Sequence, residues 1–297
     1  MIHGCWGLGD NIYSRPFISA LCQYHDVWLD TPWPELYEDL PLRFVQGDRR
    51  LRTQTQNVLL QPAGRWSPTP YGISTVHVGY KGMQLANGSV ITAIEQSLPY
   101  NGTKPKWDLP PLGKSPVDSG KAKLAVIRPV TVRTEWQNDA RSPRPEYIAS
   151  IASDLKSRGF AVVVVAHLKV GEEWLAGELP PHNAAFVNGE FDVRQLLALI
   201  RDADVVVGGV GWIVPAAIAL KTKAFIVLGG HGGHNAPEKI TDPRMNLSRI
   251  GFAMPERFCR CTDMQHLCDK QITNLSEQWM GFVNRAGLYA TSSQRAG

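Results

Sequence analysis

Gly4-Cys5-Trp6-Gly7-Leu8-Gly9-Asp10 opens the chain and runs straight into an apolar, helix-compatible stretch, Asn11–Leu21, that carries Pro16. Glycines at a strand-to-helix turn let the backbone approach a ligand closely, and the helix N-terminus behind them favours negative charge. An acidic side chain at that place would repel a phosphate. Asp10 therefore reads as a carboxylate held beside a ligand crevice, suited to general base work. The competing reading is a helix cap, in which Asp10 accepts backbone N–H bonds for about 1 kcal/mol.

Working outward, the second half of the chain is regular. Short apolar runs (Leu124–Ile127, Phe160–Ala166, Ala184–Val187, Asp204–Val207, Ala224–Leu228) alternate with helical stretches (Glu146–Arg158, Val193–Arg201, Trp212–Leu220), and Asn274–Gly287 reads as a closing helix. That alternation implies βαβ units and a parallel sheet. The first half is irregular: Val27–Thr31, Val58–Gln61, Thr75–Val78 and Ser89–Ile94 read as short strands separated by Gly, Pro and Asn. Between the halves, Pro99–Gly120 carries five prolines among Gly, Ser and Lys and reads as a linker. The expectation is an α/β chain of two Rossmann-like domains facing across a cleft, residues 1–118 and 119–297. The C-terminal helix could pack back on the first domain.

A chain of 297 residues with 43% hydrophobic content can fill two cores. A formal net charge of +4 suits an anionic ligand and falls short of a nucleic-acid signature. The longest apolar runs are too short to span a bilayer, and the first residues lack a basic region followed by an apolar core, so a cytoplasmic location is expected. Asn-x-Ser/Thr matches at Asn87, Asn101, Asn246 and Asn274 then read as chance. Five cysteines, an odd count, argue against a disulfide framework.

The N-terminal loop, Gly9-Asp10 with Pro16 six residues on, resembles the G-D-x-x-x-x-x-P opening of heptosyltransferase-like glycosyltransferases (family 9, GT-B fold). The resemblance implies two Rossmann-like domains, a nucleotide-diphospho-sugar donor bound by the second, no cofactor needed for catalysis, and Asp10 as the base that deprotonates an acceptor hydroxyl. Gly7, Gly9 and Asn11 would form the acceptor-side loop. Asp202–Gly233 is similar to the family's donor-binding segment, in which D-T-G-x-x-H opens a helix and a G-P-T-like loop follows the next strand. Here Gly208-Gly209-Val210-Gly211-Trp212 provides the turn, with Gly209 where the family's aspartate usually stands and Val214 near the expected histidine. Free N–H groups at such a helix start can hold a pyrophosphate, and a tight packing turn is the plainer alternative.

Further donor contacts are expected from Arg128, Thr131 and Arg133, since forked guanidinium donors suit phosphate, although surface ion pairs would explain the arginines as well. His231 and His234, in Gly229-Gly230-His231-Gly232-Gly233-His234, follow a strand where open α/β sheets bind ligands, or are simply solvated. Cys259-x-Cys261-x4-His266-x-Cys268 offers three thiolates and an imidazole, enough for a tetrahedral structural zinc, or reduced loop thiols.

Aromatic residues at Trp28, Trp33, Tyr37, Trp66, Tyr71, Tyr80 and Tyr100, interleaved with Arg43, Arg49, Arg50, Arg52, Arg65 and Lys81, would suit an acceptor that is a glycan or a modified nucleobase in DNA. Ordinary solvated surface accounts for the same charges. Two rival functions stay open. Gly4, Gly7 and Gly9 with Asp30 imitate an NAD(P)-dependent dehydrogenase, against the dinucleotide glycine spacing. The third option is a non-catalytic nucleotide-sugar-binding protein.

Overall fold

The first sheet is built from β1 (Ile2–His3), β2 (Val27–Asp30), β3 (Leu42–Val45) and β4 (Val76–His77), all parallel in the order β3-β2-β1-β4. These elements come from a computed structural model that describes residues 1–47, 49, 51–102 and 104–289; Arg50, among the interleaved basic residues, lies outside them. Strand β1 is only two residues long but central, and the glycine turn carries it into α1 (Leu8–Leu21). Helix α1 buries Phe17 and Ile18 completely, which fixes the turn against the sheet.

Two stretches expected as strands are helices. Val58–Gln61 falls in and just after α2 (Arg52–Leu60), because Gln54, Asn57 and Val58 recur at helical spacing on its buried side while Leu59 and Leu60 face solvent. After α3 (Gly82–Asn87), Ser89–Ile94 largely forms α4 (Val90–Gln96). The Ser89 hydroxyl accepts from the Thr92 N–H at 3.2 Å, and the Thr92 hydroxyl accepts from the Ser89 N–H at 2.8 Å. That reciprocal cap, with Val90, Ile91, Ala93 and Ile94 on one buried face, outweighs the β-branched preference for strand.

The second half contains β5 (Leu124–Ile127), β6 (Thr131–Arg133), α5 (Pro145–Ser157), β7 (Ala161–Val165), β8 (Glu173–Leu175), β9 (Ala184–Phe186), α6 (Val193–Asp202), β10 (Val205–Gly209), α7 (Ile213–Leu220), β11 (Ala224–Val227), α8 (Gly232–Asn235), α9 (Pro237–Ile240), β12 (Ile250–Ala253) and α10 (Leu275–Ala286). Its six-stranded sheet is parallel throughout, in the order β12-β11-β10-β5-β7-β9, with β6 and β8 forming a separate antiparallel ribbon. The alternation of Cβ directions splits its core in two. Ala125, Ile127, Val162, Val164, Val205 and Val207 face α5 and α10. Leu124, Val126, Val163, Val165 and Val206 face α6 and α7, and that core runs on without a break into Phe17, Ile18 and Leu29 of the first half.

Helix α10 does not return to the first half, contrary to that expectation. Trp279, Phe282 and Val283 share one face and cover Phe225 of β11, and Trp279 Nε1 donates to Asp154 at 2.8 Å. The proline-rich stretch is likewise no free linker. Arg15 Nε donates to the Asp108 carbonyl at 3.0 Å, and Arg201 donates to the carbonyls of Leu112 and Gly113, so the strap is pinned to both halves.

The halves meet along α1 and α7. A Cβ on Gly9 would lie 3.0 Å from Trp212 Cα, so glycine is what lets the two helix starts touch. Lys239 Nζ donates to the carbonyls of Leu85, Ala86 and Gly88, tying α9 to the C-terminal end of α3. Arg244 forms a two-pronged pair with Glu95 at 3.0 and 2.7 Å.

Among the described residues no helix is long and apolar enough to cross a membrane. Because the obstacle at Gly9 is backbone, Gly9→Val is expected to destabilise the protein by about 1–3 kcal/mol in urea unfolding. Gly64→Val, where nothing lies within 4 Å of an added Cβ, serves as the matched control and should change little.

Candidate active site

A cleft of about 1740 Å³ opens between the halves, at the C-terminal ends of β1, β5, β10 and β11. In open α/β sheets that is where ligands collect.

On the first-half wall, Gly7 is the N-cap of α1 and Asp10 is its third helical residue. Among the described residues the hydrogen bond to this carboxylate comes from Tyr80 Oη, which donates to Oδ1 at 3.1 Å. A Cβ on Gly7 would stand 2.6 Å from Asp10 Oδ2, so the glycine makes room for a carboxylate leaning back over the turn. Burial raises the Asp10 pKa above the usual carboxylate range, with the Tyr80 hydrogen bond and the Arg141 charge pulling against it. As an acid in the first turn of α1, Asp10 also complements the helix dipole.

Asn11 is placed differently from its expected role. It is fully buried beneath the loop, its amide donating to the carbonyls of Cys5 at 2.7 Å and Gly7 at 2.9 Å, while Thr31 Oγ1 and Tyr37 Oη donate to its Oδ1. It fixes the turn and does not line the cleft.

On the second-half wall, Arg128 leaves β5 and lays its guanidinium beside the turn before α7, with Nη1 3.9 Å from where a Gly211 Cβ would be. A Gly208 side chain would strike Arg128 Cβ at 3.1 Å. Gly209, where an aspartate was expected by resemblance, faces Pro143 Cδ at 3.2 Å; that space is already filled. Thr131 and Arg133 line the cleft from β6. Arg133 Nε pairs with the buried Glu173 at 2.8 Å, and Arg52 of α2 reaches across to the same carboxylate at 3.0 Å. Trp212 is the N-cap of α7 and lines the cleft with Gly209 and Gly211.

Arg141 joins this wall and escaped the sequence reading. Its only advance signal is a basic residue just ahead of the Pro-led helix α5. Arg128 and Arg141 make no ion pair among the described residues, in contrast to Arg133. Burial, then repulsion from Arg133, brings Arg128 down to about 10; burial lowers Arg141 as well, while Tyr80 and Asp10 draw it back up. Two half-buried cations with no ion pair among the described residues have the chemistry to receive an anion.

His231 and His234 border the same cleft, and behind them lie the four sulfur and imidazole ligands. The candidate donor atoms of Cys259, Cys261, His266 and Cys268 all fall within 4.8 Å of one another. The close pairs are Cys261 Sγ to Cys268 Sγ at 3.5 Å, Cys259 Sγ to His266 Nδ1 at 3.5 Å, and His266 Nδ1 to Cys268 Sγ at 3.4 Å. The edges of a tetrahedral Cys₃His zinc site are about 3.5–3.8 Å, so the set fits a metal. The loop abuts the histidines: the N–H groups of Gly232 and Gly233 donate to the carbonyls of Cys259 and Cys261.

The aromatic and basic set of the first half mostly goes elsewhere. Trp33 and Tyr80 line the cleft, but Tyr37 is buried under Asn11 and Arg43 stacks on Trp28 at 4.5 Å. Arg49 pairs with Asp30 at 2.8 Å and Arg65 with Glu38 at 2.6 Å, which takes both out of a free basic stripe. Asp30, the ribose-binding acid of a dehydrogenase reading, is already held by Arg49 and His3.

No family model and no curated protein matches the chain. Solved structures of similar fold include the iron-containing dodecameric glycosyltransferase TibC from enterotoxigenic E. coli H10407, at 15% identity over 100% of this chain and 80% of that one, TM-score 0.63. E. coli ADP-heptose lps heptosyltransferase II is similar at 12% identity over 96% and 98%, TM-score 0.52. A family 9 glycosyl transferase from Veillonella parvula DSM 2008 follows at 11% identity over 84% of each chain, TM-score 0.52. At these identities the likeness establishes the fold, the two-sheet GT-B architecture expected from the sequence.

Because the folded protein holds Asp10 above its ordinary pKa, ionising it there costs stability. That cost is absent where the group is protonated in both states and grows as pH rises through the folded pKa. Asp10→Asn should therefore raise the melting temperature near pH 8, and the gain should vanish below about pH 4. A calorimetric pH series checks it.

Proposed function

We propose that the protein is a glycosyltransferase that moves a sugar from a nucleotide-diphospho-sugar to an acceptor hydroxyl, with inversion and without a metal at the reacting centre. The observation that carries this reading is one cleft with a raised-pKa carboxylate on one wall and, on the other, two half-buried guanidiniums that make no ion pair among the described residues. Asp10 takes the acceptor proton as the acceptor oxygen attacks the anomeric carbon. The bond from that carbon to the phosphate oxygen breaks, and the nucleoside diphosphate leaves. Arg128, Arg141, the Thr131 hydroxyl and the first-turn amides of α7 stabilise the charge that develops on it. The donor half begins near residue 119, at the end of the strap.

An adenine nucleotide is the first donor to test, since TibC has been captured with ADP-D-β-D-heptose and E. coli WaaC with an ADP-fluoroheptose. A glycan hydroxyl is the acceptor class we favour, because Arg49, Arg52 and Arg65, which would have helped to track a polynucleotide, are tied up in ion pairs. The cytoplasm is the proposed setting, in keeping with the odd cysteine count.

Cys259, Cys261, His266 and Cys268 are proposed to hold one structural zinc or iron, the latter because TibC is iron-containing. The metal would staple the loop that carries His231. Elemental analysis should find about one metal per chain, and chelation should lower the melting temperature, with Cys261→Ser reproducing that loss.

Release of nucleoside diphosphate from a nucleotide sugar tests the reaction. Asp10→Asn should reduce turnover by about 10²-fold or more while nucleotide binding persists; turnover unaffected by Asp10→Asn would remove the base from the mechanism. Tyr80→Phe deletes a hydrogen bond that holds the Asp10 pKa down. The acid limb of the pH–rate profile should then move to higher pH.

A further inference from the structure

His231 sits with φ 56°, a left-handed backbone uncommon for a residue with a side chain, and is almost wholly buried. Such strain persists only where surroundings enforce it, and it gathers at functional sites. Here the enforcing contacts are the Gly232 and Gly233 N–H bonds to the carbonyls of Cys259 and Cys261.

The imidazole has a determined tautomer. Nδ1 lies 3.2 Å from Asn138 Nδ2 and 2.8 Å from Asn235 Nδ2. Both amides are oriented by other partners. Asn138 Oδ1 accepts from the Arg141 backbone N–H at 3.0 Å, which turns its NH₂ toward the ring, and Asn235 Nδ2 also donates to the His231 carbonyl at 3.3 Å. Two N–H donors converge on Nδ1, so Nδ1 is an acceptor and the ring proton resides on Nε2. Nε2 is buried with no hydrogen-bond partner among the described residues, on a residue that lines the cleft. A built, oriented and unsatisfied buried donor is the signature of a site awaiting an acceptor atom.

Resting on the glycosyltransferase reading, we infer that His231 donates its Nε2–H to the distal phosphate of the donor, the one bonded to the sugar, with Asn138 and Asn235 as the positioning residues that set its tautomer. Asn138 binds the backbone of Arg141, whose charge faces Asp10, so this donor belongs to the side of the cleft where the leaving oxygen forms. No proton is transferred; the hydrogen bond strengthens as charge builds on the departing phosphate.

The test compares nucleoside diphosphates with their monophosphates by titration calorimetry, using the ADP/AMP, UDP/UMP, GDP/GMP and CDP/CMP pairs. The unaltered protein should prefer a diphosphate. His231→Phe should weaken that diphosphate at least about tenfold while leaving its monophosphate within about twofold, and His231→Gln, which keeps an N–H, should recover part of the loss. Long-range ¹⁵N–¹H spectra of the unaltered protein supply a readout independent of any variant: His231 should give the Nε2–H pattern, with that proton moving downfield on adding the preferred diphosphate. If no diphosphate binds the unaltered protein, the donor reading falls and this inference with it. If one binds but His231→Phe keeps the full preference, or the ring is protonated at Nδ1, the assignment to His231 alone is wrong.

Discussion

The contact between Gly9 and Trp212 governs this molecule. The start of α1 and the start of α7 line the same cleft, and they meet where a backbone without a side chain fits against the Trp212 backbone. Around that point one apolar core runs from one sheet to the other, and Tyr13 Oη crosses it to donate to the Ile240 carbonyl. Lys239 and Arg244 then lock the rim. Bringing the two sheets together this closely sets the carboxylate of one half opposite the cations of the other, which is a condition for chemistry on a ligand bound between them.

The charges in the cleft separate into two populations. Glu173 compensates Arg52 and Arg133, which makes that group a strut between the halves. Among the described residues Arg128 and Arg141 make no such ion pair, and Asp10 has the Tyr80 hydroxyl and, across the cleft, the Arg141 charge. Uncompensated burial is unfavourable to the empty protein and is retained where a ligand supplies the missing charge. His231 extends the pattern to a neutral donor.

Much of this was legible in the sequence, for identifiable reasons. The βαβ pattern of residues 124–228 is visible because strands buried on both faces are apolar throughout, and the helices between them carry a one-sided stripe. Asp10 stands out because an acid in a glycine turn contradicts phosphate binding. The four cysteine and histidine ligands are close in sequence and hence close in space. Long-range packing was illegible: α2 and α4 look like strands until Asn57 and Val58, or the Ser89–Thr92 cap, find their partners. Asn138 gave no local signal, Arg141 only that of a base ahead of a Pro-led helix, and Tyr80 only that of a loop aromatic, because their roles arise from segments far from Asp10 and His231 in sequence that the fold brings alongside. Arg49, Arg52 and Arg65 looked like a ligand surface and became ion pairs, since their carboxylates come from other elements.

The central claim is that the cleft is a nucleotide-sugar site. Thermal stabilisation of the purified protein by UDP-, ADP-, GDP-, CMP- and dTDP-sugars, with NAD and NADP alongside, tests it most directly. A ligand at a hundred times its dissociation constant adds about 2.7 kcal/mol. Stabilisation by one nucleotide sugar and by its free nucleoside diphosphate, lost in Arg141→Met, is the predicted result. Stabilisation by NAD or NADP alone would contradict the account and return the fold to a dehydrogenase.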